Sequence, residues 1–219
     1  MTATVAHPEQ EITVEISERS LRALVADTDE QQRASFGSMP DQIRALHSQT
    51  RPLRRNAASG DAGIAAFAQS VELTAVAAYT AAARSGLIKT PAVLEAATTF
   101  ADHHQRHAAA FGSAAGSAAT GKLNKALLQA LSPGLAAAKT ETDVVRLAYN
   151  LENAAAATYL FALGALESMA ALQLTASILP IEAQHAVVLG QVIGADLATM
   201  LPAFQTQDGF VDPAKFPVG

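Results

Sequence analysis

The fold class this chain predicts is all-α: four long helices in a bundle with one long crossover connection, an N-terminal helical arm and a C-terminal tail. Three observations carry that expectation. Half of the 219 residues are hydrophobic while only 5% are aromatic, and alanine, the strongest helix former, is abundant. Long apolar segments are punctuated by helix-capping residues. Two short connections flank one long one, which fixes which helices are neighbours.

Residues 1–56 differ from the rest, being rich in arginine and acids with little continuous apolar pattern. Within this arm, Ser17 to Asp27 (Ile16, Leu21, Leu24, Val25) reads as a short amphipathic helix and Pro40 to His47 (Ile43, Leu46) as another. The arm either packs on the body or a neighbour, or is partly disordered. The bundle is expected over 57–200. Its first long helix runs from Asp61 to about Ser85 and is closed by Gly86 in a left-handed cap. Thr90 caps the second, with Pro91 at its first position, and that helix ends near Phe111-Gly112. A short helix, Lys122 to Leu131, stops at Ser132-Pro133-Gly134. Thr140 or Thr142 opens the third long helix, which runs to about Glu167. The fourth is bent at Pro180, whose ring removes the bond to Ala176, and ends near Gly194. The tail, 201–219, with Pro202, Phe204, Phe210 and Phe216, is expected to lie on the bundle.

The first and second long helices are thus antiparallel neighbours, and so are the third and fourth. A helix of about 22 residues is roughly 33 Å long, and extended chain covers about 3.3 Å per residue. The long middle connection can therefore cross the whole bundle and start the third helix parallel to the second.

Several classes of function are excluded or disfavoured. A net charge of −5 and a pI near 5.6 argue against nucleic acid as a partner. Without cysteine there is no disulfide, thiolate metal site or cysteine nucleophile. The start of the chain lacks the basic-then-apolar form of an export signal. Arg54-Arg55 before an alanine-rich stretch resembles a twin-arginine signal, but it lies too far in and Asp61 interrupts it. The uncharged runs 153–166 and 168–181 stop short of the roughly 18 residues that span a bilayer. A soluble, cytoplasmic protein is expected.

The chemistry lies in a repeat. Glu72 is followed seven residues later by Tyr79, and Glu152 by Tyr159, two turns along one face. The second helix of the first pair carries His104-Gln-Arg-His107, and that of the second carries Glu182-Ala-Gln-His185. Groups three apart share a helix face, so each pair can reach a common metal ion. Glu72 and His104 are equidistant from Ile88, Glu152 and Glu182 from Glu167, each in an expected turn. All six groups would therefore meet in one layer. His103 and His107 also share a face, which leaves open whether His103 or His104 joins His107. Asp102 is expected on the solvated side, and His7 and His47 at the surface. Each glutamate could instead belong to a solvated stripe, although apolar neighbours one turn away (Ala68, Ala75, Val76 around Glu72) favour burial, where a lone carboxylate is costly. Alone, each tyrosine is an ordinary core aromatic.

These motifs resemble the ferritin-like superfamily of di-iron carboxylate bundles, especially bacterial ferritin-like domain proteins, over residues 61–195. The resemblance implies Glu72 and Glu152 as end carboxylates, Glu182 with His185 as an intact Glu-x-x-His pair, and His107 as the second histidine ligand. It implies Tyr79 and Tyr159 as tyrosines behind the ligands. The departure is His104, where the family places a bridging glutamate. The expected cofactor is iron or manganese, as two ions or one strongly bound, with zinc possible given three imidazoles. The expected chemistry is oxidation of Fe²⁺ by O₂ or peroxide, or oxygenation of an unnamed substrate. The alternative is a metal-free or zinc-bound scaffold with a stress-related or interaction role. A homodimer is expected.

Overall fold

A computed structural model of the chain describes residues 18–20, 22, 23, 25, 26 and 57–218. Of the described residues 75% are helical and none is in a strand. From residue 57 the helices are α1 (Ala57–Arg84), α2 (Pro91–Ala115), α3 (Lys125–Ala137), α4 (Glu141–Leu163), α5 (Met169–Val192) and α6 (Leu197–Met200). α1 packs along α2 and α4 along α5; the hairpins meet with α1 beside α4 and α2 beside α5. The fold is the expected helical bundle, and the crossover 116–140 carries α3 across α1 and α4.

The caps explain most boundaries. Gly86 (φ 71°) stops α1 and Gly194 (φ 63°) follows α5, left-handed positions that glycine adopts without a Cβ penalty. Thr140 and Asp143 form a reciprocal capping box at the start of α4, and Ser168 accepts from Ala171 N at the start of α5. α5 stays continuous through Pro180.

α1 begins at Ala57 instead of Asp61 and α3 at Lys125 instead of Lys122, and three further boundaries depart from expectation for a visible reason. α2 passes through Gly112 and ends at Ala115, before Gly116 (φ 56°). Gly112 serves close approach instead: a Cβ there would lie 2.2 Å from the Gln69 side-chain nitrogen. α3 continues through Ser132-Pro133-Gly134 to Ala137, and Gly134 lets it press on Leu147, 2.9 Å from where a Cβ would sit. α4 stops at Leu163 because the backbone N–H groups of Glu167 and Ser168 donate to Asp61, at 2.9 and 2.7 Å. That pins the turn before α5.

The core falls into layers. One apolar cluster contains Ala75, Tyr79, Phe100, Val144, Leu151 and Leu189. Another contains Ala65, Phe111, Ala155, Tyr159, Leu174 and Ile178. Along every long helix, the residues named above as possible ligands lie between these two clusters in sequence. A polar layer is sandwiched between two apolar ones.

Of the arm, the described residues are helical and Val25 is buried in the first cluster. Arg22 pairs with Glu18 and with Glu95 of α2; such exposed pairs contribute little. The expected helix at Pro40 to His47, and both His7 and His47, lie outside the described residues. In the tail, Phe210 stacks on Phe161 with centroids 4.3 Å apart, and Val211 N donates to Thr158 at 2.8 Å. Phe216 O accepts from Asn124 at 2.8 Å, whereas Phe204 is 82% exposed. Among the described residues, Gly60–Arg84 is long and apolar enough to cross a membrane, but 61% of its most apolar window is buried inside the bundle. A helix in the core of a bundle has that character.

Candidate metal centre

Glu72, His104, His107, Glu152, Glu182 and His185 all converge in the polar layer, and none is more than 1% exposed. The antiparallel hairpins put residues equidistant from each turn at one depth, and the turns fall at 85–90 and 164–168, around Ile88 and Glu167. Four donor atoms from Glu72, His104, His107 and Glu182 lie within 4.8 Å of one another, and so do four from His104, Glu152, Glu182 and His185. The centre thus has two halves, with Glu182 and His104 common to both. Glu72 with His107 closes one half, and Glu152 with His185 the other.

His104 sits between the halves and turns a different nitrogen to each. Nδ1 is 2.7 Å from Glu72 Oε2 and Nε2 is 3.1 Å from Glu152 Oε1. Both neighbours are acceptors, and only the imidazolium carries two N–H donors. His107 Nδ1 lies 2.8 Å from Glu182 Oε1, and His185 Nδ1 lies 3.3 Å from Glu152 and 3.5 Å from Glu182.

The tyrosines are exchanged between the hairpins. Tyr79 of α1 donates its hydroxyl to Glu152 of α4, and Tyr159 of α4 donates to Glu72 of α1. Burial first, then the neighbouring carboxylates, push both phenols well above their ordinary value of 10, so they remain donors.

The electrostatics follow from burial set against pairing. Burial pushes the Glu72 carboxyl up, but His107 and His104 together outweigh it and hold it at about 2. Burial likewise opposes, and His104 and His185 likewise reverse, so that Glu152 stays well below the carboxylate range. Burial would lower the imidazoles; instead Glu72 and Glu182 raise His107 to about 9. Against the same opposition, Glu152, Glu182 and Glu72 raise His104 well above its ordinary value, and Glu152 raises His185. Three carboxylates facing three imidazoles hold protons where no other cation is bound.

The same residues fit a metal ion. Neither oxygen of the fully buried Glu182 receives a well-directed hydrogen bond, a costly state for a carboxylate that a coordinated cation relieves. Nitrogen and oxygen donors without sulfur suit Fe²⁺, Mn²⁺ or Zn²⁺.

The two adjacent histidines have different surroundings. His104 faces the carboxylates, while His103, also fully buried, lies behind His185, its Nδ1 2.9 Å from His185 Nε2. For His185 to offer a bare Nδ1 to a cation, its Nε2 must carry the proton and donate to His103, the orienting arrangement typical of metal-bound imidazoles. Asp102 has a half-exposed side chain paired with Arg106.

Two carboxylates that sequence reasoning passed over complete the repeat. Asp61 accepts from the two backbone N–H groups preceding α5. Glu141 accepts from Lys89 N and Thr90 N, preceding α2, at 2.6 and 2.8 Å. Asp61, Glu72 and Tyr79 recur 80 positions on as Glu141, Glu152 and Tyr159. That constant offset was the available signal.

Residues 53–195 match the family described as the ferritin-like domain. No curated protein and no solved structure matches the chain.

Proposed function

We propose, from the premise that this chain belongs to the ferritin-like domain family, that the buried centre binds iron or manganese and oxidises Fe²⁺ with O₂ or peroxide. The observation that supports this best is the pair of overlapping donor groups, one in each half of a fully buried layer. Fe²⁺ is then substrate as well as occupant: two ions give up two electrons, which reduce O₂ to peroxide or peroxide to water, with protons taken from solvent.

The chain's own groups have separate tasks. Glu72 and Glu152 neutralise cation charge, each held in place by the tyrosine of the opposite hairpin. Glu182, facing both halves, is the carboxylate able to serve either ion through its two oxygens. His107 and His185 close the two ends. His104 offers one lone pair when neutral, to one half or the other, where a glutamate would serve both. The ligand charge is then −3, against −4 with a fourth carboxylate. Two Fe³⁺ ions carry +6, so the missing charge weighs most on the oxidised pair. One ion is accordingly held strongly and a second weakly, and oxidation is slow.

A second reading, a metal-free or zinc-bound scaffold, is supported by His104, whose two ring nitrogens each lie within hydrogen-bond distance of a carboxylate, Glu72 and Glu152, and can link them as an imidazolium. Metal analysis of untagged protein purified without chelator, followed by anaerobic titration with Fe²⁺, Mn²⁺ and Zn²⁺, separates the two. At least one Fe²⁺ or Mn²⁺ per chain, with oxidation of Fe²⁺ on admitting O₂, is expected. Zinc alone, or no uptake, would leave the scaffold. We also propose a homodimer, supported by exposed Leu197, Leu201 and Phe204 and checked by sedimentation, and a cytoplasmic location, checked by cell fractionation.

A further inference from the structure

Away from the polar layer, α1, α3 and α4 leave a half-enclosed pocket of about 150 Å³ between them. Its origin is visible in the sequence. The stretch of α1 that faces α3 carries alanine at 77, 78, 81 and 82, so the leucines opposite, among them Leu131 and Leu147, meet small side chains and the space stays open. No lining residue is charged. Two of them carry hydroxyls, and both are committed: Ser132 donates to Leu128 O at 2.7 Å, and Tyr79 donates to Glu152. An ion entering here would lose its hydration with nothing to replace it. An apolar cavity of this size takes molecules such as benzene or xenon.

The pocket also abuts the centre. Its wall includes Tyr79 and Leu151, the first bonded to a candidate ligand and the second next to it in the chain. We infer that this pocket binds small uncharged apolar molecules and is the side from which such a molecule, dioxygen included, approaches the buried centre. Charged species must come by another way. The approach half of this inference rests on the function proposed above; the binding half does not.

Two measurements test it. In methyl-labelled protein, benzene should cause saturable shifts at Leu131, Leu135 and Leu147, with Kd of about 1 mM. Ala78→Phe, which fills the pocket from a partly exposed position, should abolish them. Ala148→Leu does the same from α4 should the first variant fold poorly. Absence of saturable shifts in the parent would overturn the binding site. With Fe²⁺ loaded, either filled variant should bind as much metal as the parent but consume it with O₂ about tenfold more slowly. Unchanged oxidation at equal metal content would overturn the approach route. Saturable benzene shifts in a protein that takes up no iron would sink the oxidation proposal while leaving the pocket standing.

Discussion

The two helical hairpins, α1–α2 and α4–α5, are built from the same devices and differ at one chemically decisive position. Each opens with an acid that caps the other hairpin's second helix, Asp61 in one and Glu141 in the other. Each places a glutamate eleven residues on, and a tyrosine seven beyond that. The tyrosines then bond across to the opposite glutamates, so neither hairpin completes its own half of the centre. At the corresponding place on the second helix, however, α5 presents Glu182 and α2 presents His104. The carboxylate lacks well-directed hydrogen bonds while the imidazole has carboxylates on both sides. One shared position is thus arranged to accept a cation, and the other can itself be one. The crossed hydrogen bonds of Asp61, Glu141, Tyr79 and Tyr159 tie the two hairpins together around that position.

The largest effects should come from the residues the hairpins share equally. Glu72→Gln and Glu152→Gln each leave a buried imidazole without its counter-charge, and each should cost about 3–5 kcal/mol of stability and the tight metal site. Chemical unfolding and metal counts on both variants check this. A variant that keeps both would break the equivalence of the halves.

Next in size is the response to pH. His107 is raised in the fold from its ordinary 6.5 to about 9. Its contribution is complete below about 6.5 and is lost as pH rises through about 9, an effect of about 3 kcal/mol. Glu72, lowered to about 2, contributes above its unfolded value near 4.5 and loses that contribution as pH falls through about 2. Metal-free protein should therefore melt highest between about pH 4.5 and 6.5. A metal ion needs bare imidazole nitrogens, so its affinity should instead rise between about pH 6.5 and 9. Melting curves across pH with and without Mn²⁺ should diverge in that range; parallel curves would remove the competition between protons and metal.

Tyr79→Phe and Tyr159→Phe each delete a hydrogen bond to a buried carboxylate, expected to cost about 1.5–3 kcal/mol. Equal losses in denaturant melts would sharpen the symmetry of the crossed bonds, whereas a loss confined to one would show that one half carries the centre. His104→Glu tests the position at which the hairpins differ. It should raise metal occupancy towards two per chain and speed Fe²⁺ oxidation about tenfold, read by stopped-flow absorbance with metal counted in parallel. A parent that already holds two irons and oxidises them as fast would refute the charge argument. The smallest effect is expected of Asp61→Ala and Glu141→Ala, each about 1 kcal/mol as lost caps and measurable by thermal melts.

The sequence by itself determined the helices, their pairing and five groups of the polar layer: Glu72, His107, Glu152, Glu182 and His185. The physical reason is that helical period and distance from a turn are local quantities: Glu72 and His104 share a depth because both are sixteen residues from Ile88. It also carried the Asp61–Glu141 correspondence, unread because capping across hairpins cannot be seen within one. The sequence could not say that Gly112 and Gly134 lie inside helices, since what they accommodate, Gln69 and Leu147, arrives from other helices. Nor could it choose between His103 and His104. Adjacent residues on α2 point about 100° apart, and both directions prove to be buried. Only the positions of α1, α4 and α5 around α2 decide that one imidazole meets Glu72 and Glu152 while its neighbour meets the back of His185.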